Sequence, residues 1–280
     1  MIEYSKRFGS RNYKIQDFDS MNEIAEYIQN TPEIDRYELI SKSYLRSESS
    51  FLGIDSFDKV LDRLRFGDDK MTTMFLDQLA TLKTEEGETQ NAFFMDTEGV
   101  AYDMGSVVAG EPECCINQGY PESKPYIKIF IDTGYCGGVT PKTISYRGVA
   151  VYQLISNLIS RGYIVDVYFI HYIDASGGGY YAQTVKLSTD YLVTSQIAFG
   201  GTCEFFRIVT WLLTAIQRKD KYYTGSGRSK PSTEVIESFK KEGLFIPSGY
   251  TDGRFNNCDQ KQAIQYVSEI YNEYVEGKCK

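Results

Sequence analysis

The chain has 280 residues, 42% hydrophobic and 24% charged, with a formal net charge of −8 at pH 7. It is long enough to bury the core of one large domain or two small ones, and its acidic balance argues against a general nucleic-acid coat. No apolar run reaches the roughly 20 residues that span a bilayer, so no membrane partner is expected.

The opening stretch, MIEYSKRFGSRNYK, carries charges with no apolar segment behind them, and no signal peptide is expected. Six cysteines without a CxxC pair and a single histidine leave little material for a zinc site. Reduced thiols in a cytoplasmic setting are the expectation.

Asp17–Asn30 reads as a helix: Ser20 and Glu23 stand at capping-box spacing, and Met21, Ile24, Ala25 and Ile28 recur at helical period. Ser56 is an N-cap candidate for a second helix with Phe57, Val60, Leu61 and Leu64 on one face and Gly67 as its cap. A third helix runs from about Asp69 to Leu82, with Met71, Met74 and Phe75 inward. Lys83–Gln90 reads as an exposed loop, and Phe93–Gln118 as a compact connector. Residues 1–120 are thus expected to form a mostly helical region packed on a core made by residues 121–280.

That core centres on Tyr126–Ile173. Ile127, Ile129 and Ile131 alternate along a strand that ends at Asp132, and a glycine-rich loop follows. A helix begins near Ser145 with Val151, Leu154, Ile155, Leu158 and Ile159 inward, and Gly162 stops it. Ile164–Ile173 is the next strand, parallel to the first, and Tyr181–Leu187 returns as an antiparallel partner. Cys203–Arg218 is a strong helix, Ser232–Lys241 a short one and Leu244–Ile246 a brief strand. A final helix carries Ala263, Val267 and Ile270 inward and ends at Gly277. The expected class is α/β: a mainly parallel central sheet with an antiparallel hairpin edge, flanked by helices.

Two resemblances attach to these residues. The Phe51-Leu52-Gly53, Ser56-Phe57 and Gly67 positions, the Gly110-Glu111-Pro112 turn and the strand–helix–strand unit resemble an uncharacterised domain family of tailed-bacteriophage and prophage genomes. That implies a phage source, with the host cytoplasm or the virion as location, and no activity. The chain from Asp132 onward resembles a von Willebrand factor A-type domain, a Rossmann-like fold. Asp132-Thr133-Gly134-Tyr135-Cys136 stands where that family has DxSxS, followed by Gly201-Thr202 and Thr251-Asp252-Gly253. The resemblance implies a metal site at Asp132, Thr202 and Asp252, in degenerate form, because Gly134 and Cys136 replace two serine hydroxyls that a hard ion needs. Asp132 accepting its own loop's N–H groups, and Thr202 capping its own helix, are the favoured readings. A full domain of this type has two further strands, for which too few residues remain downstream. The sheet is therefore truncated or completed from elsewhere.

Catalytic patterns are sparse. A Ser/His/Asp triad would need His171, which lies inside an apolar strand, and neither GxSxG nor a phosphate-binding P-loop occurs. Cys136 follows a strand but has no basic neighbour to lower its pKa. The expected function is a non-enzymatic binding or scaffold protein that meets another protein, of phage or host. Its contact candidates are Thr133, Gly134, Tyr135, Cys136, Arg228 and Lys230, and no cofactor is expected. The alternatives are a Mg²⁺- or Mn²⁺-dependent nuclease or phosphodiesterase using Asp132 and Asp252, with Asp166 or Asp174 as further carboxylates, and a structural virion component.

Overall fold

In the computed structural model the chain opens with a hairpin, in a stretch to which the sequence assigned no element. Strands β1 (Ile2–Phe8) and β2 (Arg11–Phe18) pair antiparallel around Gly9-Ser10. Gly9 has φ +58, which a two-residue hairpin turn demands and glycine supplies without strain. The described residues are 1–32, 41–47, 49–52, 54–81, 93–96, 101–102, 104–109, 115–118, 125–135, 138–174, 179–187, 194–219 and 231–278. The expected features at Lys83–Gln90, Gly110–Pro112, Cys136, Arg228 and Lys230 lie outside them.

The first helix, α1 (Met21–Gln29), starts at Ser20, whose hydroxyl accepts from the Glu23 N–H at 3.2 Å, so the capping box is real. Asp17 and Phe18, expected in this helix, finish β2 instead. Short helices α2 (Lys42–Ser47) and α3 (Ser49–Leu52) precede α4 (Phe57–Phe66) and α5 (Asp69–Thr81). Gly67 closes α4 with φ +79. Arg63 of α4 bonds Asp68 at 3.1 Å and also pairs with the buried Glu204, tying this helical layer to a later helix. The expected connector at 93–118 holds a small antiparallel sheet instead: β3 (Phe93–Asp96), β4 (Ala101–Tyr102), α6 (Met104–Ala109) and β5 (Cys115–Gln118), in strand order β3-β5-β4. The expected helical character of the N-terminal region is therefore shown in part, with strands standing beside its helices.

The central unit follows the sequence closely. β6 (Tyr126–Asp132) leads through α7 (Pro141–Ser160) to β7 (Ile164–Asp174), which pairs parallel with β6. α7 begins four residues earlier than expected, because Thr140 caps it and Pro141 occupies its first turn. β8 (Tyr180–Leu187) returns antiparallel to β7. Next come α8 (Thr194–Gly200), a π-helical turn at Phe205–Thr210 and α9 (Trp211–Arg218). The single helix expected over Cys203–Arg218 is thus interrupted, and the wide turn buries Phe205, Phe206, Ile208 and Val209 together. α10 (Thr233–Glu242) and β9 (Leu244–Ile246) precede a 3₁₀ turn at Gly253–Asn256. The last helix, α11 (Gln260–Lys278), runs through Gly277 rather than stopping there.

The six-stranded sheet has the order β1-β2-β8-β7-β6-β9. The pairs β2/β8, β7/β6 and β6/β9 are parallel. The sheet is completed from the N-terminus: β2 lies against β8, so the β7/β8 hairpin is internal and the edges are β1 and β9. One face, carrying Ile127, Ile129, Ile131, Val165, Val167 and Phe169, belongs to the main core with α1, α4, α7 and α9. The other, carrying Phe130, Ile170, Tyr172, Tyr13 and Ile15, is capped by Val235, Ile236 and Phe239 of α10. No described helix is long and apolar enough to cross a membrane.

Candidate functional site

The carboxyl ends of β6 and β9 lie side by side, and a buried polar cluster joins them. Asp132, the last residue of β6, is only 1% exposed. Its Oδ1 accepts the Gly134 N–H at 3.0 Å, a local turn of the kind Asp side chains make with their own backbone. Its Oδ2 accepts hydroxyl protons from Ser248 at 2.8 Å and Thr251 at 2.6 Å. Both donors come from the loop after β9. Pro247 cannot extend that strand's ladder, and the Ser248 carbonyl then takes the Thr251 and Asp252 N–H groups at 3.1 and 2.7 Å, closing a tight turn.

Beneath the carboxylate lies Arg147, a buried arginine on α7. It donates to the backbone carbonyls of Asp132 at 2.9 Å and Ile246 at 3.1 Å, and to the Tyr135 hydroxyl at 3.2 Å. Its guanidinium lies between the rings of Tyr135 and Phe255, 5.6 and 5.5 Å from their centroids. One side chain therefore clamps the ends of two parallel strands. Burial pushes the Asp132 carboxyl above its ordinary range, against the pull of Thr251, Gly134, Ser248 and the Arg147 charge. Burial likewise raises the Tyr135 phenol, opposed by Arg147.

The other proposed ligands go elsewhere. Thr202 donates its hydroxyl to the Phe199 carbonyl at 2.6 Å and accepts the Phe205 N–H at 3.3 Å, so its polar capacity serves the local chain. Asp252 caps the 3₁₀ turn by accepting the Arg254 N–H at 3.0 Å and is held by the Arg254 guanidinium at 2.7 Å, which keeps its pKa low despite partial burial. Asp166 sits toward the opposite end of the sheet, bonded to Tyr126 and Lys186. Asp174 faces Arg11 at 3.9 Å. Thr133, Gly134 and Tyr135 are buried, so they shape the loop from within, while Thr140, Lys142, Gly253 and Arg254 are exposed.

His171 is buried beside this loop, and desolvation pushes its pKa down to about 3. The Thr133 hydroxyl lies 3.1 Å from the Ile170 carbonyl and 3.2 Å from His171 Nδ1. Thr133 has one proton, and giving it to the carbonyl leaves Nδ1 as the donor of a neutral ring.

A divalent ion does not fit this cluster. The carboxylate oxygens already take three protein donors, and a buried guanidinium sits alongside, opposing a second cation. Among the described residues no group of three or more His, Cys, Asp and Glu side chains is arranged to hold a metal. Sequence reasoning gave no role to Arg147 or Ser248, and it named Thr251 only as part of the Thr251-Asp252-Gly253 pattern, with Asp252 as the ligand. Arg147 falls four residues before Val151 on the inward stripe of α7, which marks it as inward-facing, whereas Ser248 and Thr251 lie in the loop after β9 and no spacing links them to Asp132.

No match was found among curated proteins or among solved structures. A family model described as "Domain of unknown function (DUF7192)" matches residues 5–274, which takes in the N-terminal hairpin, the central sheet and most of α11. The chain belongs to that uncharacterised family.

Proposed function

We propose that this is a non-enzymatic binding or scaffold protein whose loops at the carboxyl ends of β6 and β9 meet another protein. The observation that carries the reading is the saturation of Asp132 by Gly134, Ser248 and Thr251, with Arg147 clamping both strand ends below. A carboxylate so engaged joins two loops into one rigid platform instead of facing a substrate. On and beside these loops Lys142 and Arg254 are exposed and Tyr250 is half-buried. The reading includes a von Willebrand A-like ancestry, supported by the order of Asp132, Gly201-Thr202 and Thr251-Asp252-Gly253. A phage source is supported by the turn and core pattern from Phe51 to Ile173.

Calorimetric titration with Mg²⁺ and Mn²⁺, beside nuclease assays on the same samples, tests the non-enzymatic half. The expected result is no binding heat and no cleavage. Metal binding and cleavage that both vanish in Asp132→Ala would replace this reading with the nuclease. Affinity capture from infected host cells tests the other half: Lys142→Glu with Tyr250→Ala should remove a partner that the wild type retains. Identical capture by both proteins rules out the platform as the contact surface.

A further inference from the structure

β1 is an edge strand exposed on nearly every side. Six of its seven residues are exposed, including Ile2 at 64% and Tyr4 at 42%. Among the described residues no strand pairs with its outer edge. Open grooves flank it on both faces. One, about 330 Å³, is lined by Ile2, Tyr4 and Lys6 with Phe130 and Tyr168; the other, about 470 Å³, by Glu3 and Ser5 with Tyr27. Yet β1 is no loose arm. Its partner β2 is anchored in both cores through Tyr13, Ile15 and Phe18. An anchored strand with a bare edge is a template for another strand.

Hairpin geometry says which backbone groups that edge offers. The turn Phe8-Gly9-Ser10-Arg11 has two central residues, and Phe8 pairs with Arg11. A two-residue turn is closed by a bond from the Arg11 N–H to the Phe8 carbonyl. The polar groups of Phe8 therefore face β2, and by antiparallel alternation so do those of Lys6, Tyr4 and Ile2. The N–H and C=O groups of Glu3, Ser5 and Arg7 point outward.

We infer that β1 pairs antiparallel with β1 of a second copy of this chain, about a two-fold axis at Ser5. The register follows from the outward set. Centring on Ser5 uses all three outward residues of each strand, whereas a slide of two positions either way loses one of them. At that register Glu3 stands opposite the partner copy's Arg7, and Arg7 opposite its Glu3, so the edge is self-complementary in charge. On the other face Tyr4 meets Lys6, a cation against a ring, and Ile2 meets Phe8. Such a two-fold contact closes on itself and joins the two six-stranded sheets into one. It also makes the aromatic groove beside Tyr4 continuous across the axis. This surface is separate from the Asp132 loops, and the inference does not depend on the function proposed for them.

Sedimentation of the full chain tests it. The wild type should reach twice the 31.9 kDa mass of one chain as concentration rises. Glu3→Lys and Arg7→Glu should each weaken dimerisation about tenfold, since each sets like charges face to face at two places. The double variant Glu3→Lys with Arg7→Glu should restore it, because it recreates opposite pairs. Ser5→Cys should be cross-linked between two chains by a short bifunctional thiol reagent to an extent the wild type does not reach, the central pair being about 5.5 Å apart between Cα atoms. All of these substitutions fall on exposed positions, and circular dichroism checks that folding is unchanged. A wild type that stays monomeric at every concentration overturns the inference and leaves the edge to a strand of a different protein. A dimer that tolerates both single charge reversals overturns it as well.

Discussion

Thr251 donates its hydroxyl to Asp132 at 2.6 Å across a sequence separation of 119 residues. Ser248 does the same at 2.8 Å, and together they fasten the loop after β9 onto the end of β6. Hydroxyl protons thus engage one carboxylate oxygen, and the Arg147 guanidinium holds the backbone carbonyl of the same residue. Removing the acceptor strands two buried donors, the Gly134 N–H and the Ser248 hydroxyl, and the half-buried Thr251 hydroxyl. Asp132→Ala should therefore cost roughly 3 kcal/mol, measured by urea unfolding, because a hydrogen bond to a buried charged group contributes about 1.5–3 kcal/mol. A loss below about 1 kcal/mol would mean that the cluster does not hold the two loops together.

Arg147 gives a second, separable test. Arg147→Met keeps the apolar stem and removes every donor to the Asp132 and Ile246 carbonyls and the Tyr135 hydroxyl. The expected cost is about 2–4 kcal/mol. Arg147→Lys should recover only part of it, since one ammonium cannot reproduce the forked guanidinium. Full recovery by lysine would show that charge alone matters at this position.

Two buried groups give opposite pH dependences. His171 is depressed from 6.5 to about 3 by desolvation, so its contribution to stability is present above pH 6.5 and is lost as pH falls toward 3. Glu204 is raised by burial from 4.5 to about 7, against the pull of Arg63 and Lys70 and with the push of Asp68. Its contribution is present below pH 4.5 and is lost as pH rises through 7. Relative to wild type, His171→Leu should become progressively less destabilised as pH falls from 6.5. Glu204→Gln should become progressively less destabilised as pH rises from 4.5 to 7. Urea midpoints across this range, on all three proteins, read both slopes. Because His171 is the sole histidine, its ring carbon resonances should also stay constant from pH 7 to about pH 4.

Gly67 tests the packing of the helical layer. Its φ is +79, and a Cβ built there would lie 2.2 Å from the Ser195 Cβ at the start of α8. Gly67→Ala should lower stability by more than about 2 kcal/mol, combining backbone strain with a clash that α8 can relieve only by moving. Thermal unfolding measures it, and a neutral outcome would place α8 farther from α4.

The sequence by itself determined the elements whose signals are local. Ser20 with Glu23 marked the start of α1, Gly67 and Gly162 marked helix ends, and the Ile127, Ile129 and Ile131 alternation marked β6. Asp132 was legible as a strand-end residue that accepts its own loop's N–H groups, and Thr202 as a helix-start residue. Only the tertiary structure decided what depends on partners distant in sequence. β1 was unreadable because its outer edge and both faces are open, so nothing forces its residues to be apolar. The β1/β2 hairpin joins the central sheet through β8, more than 150 residues away in the chain. Ser248, Thr251 and Arg147 are ordinary in sequence, and they acquire a role because β9 docks beside β6 and brings their donors to one buried carboxylate. A buried polar group must find partners wherever the fold supplies them, and here that requirement links residues that no local pattern connects.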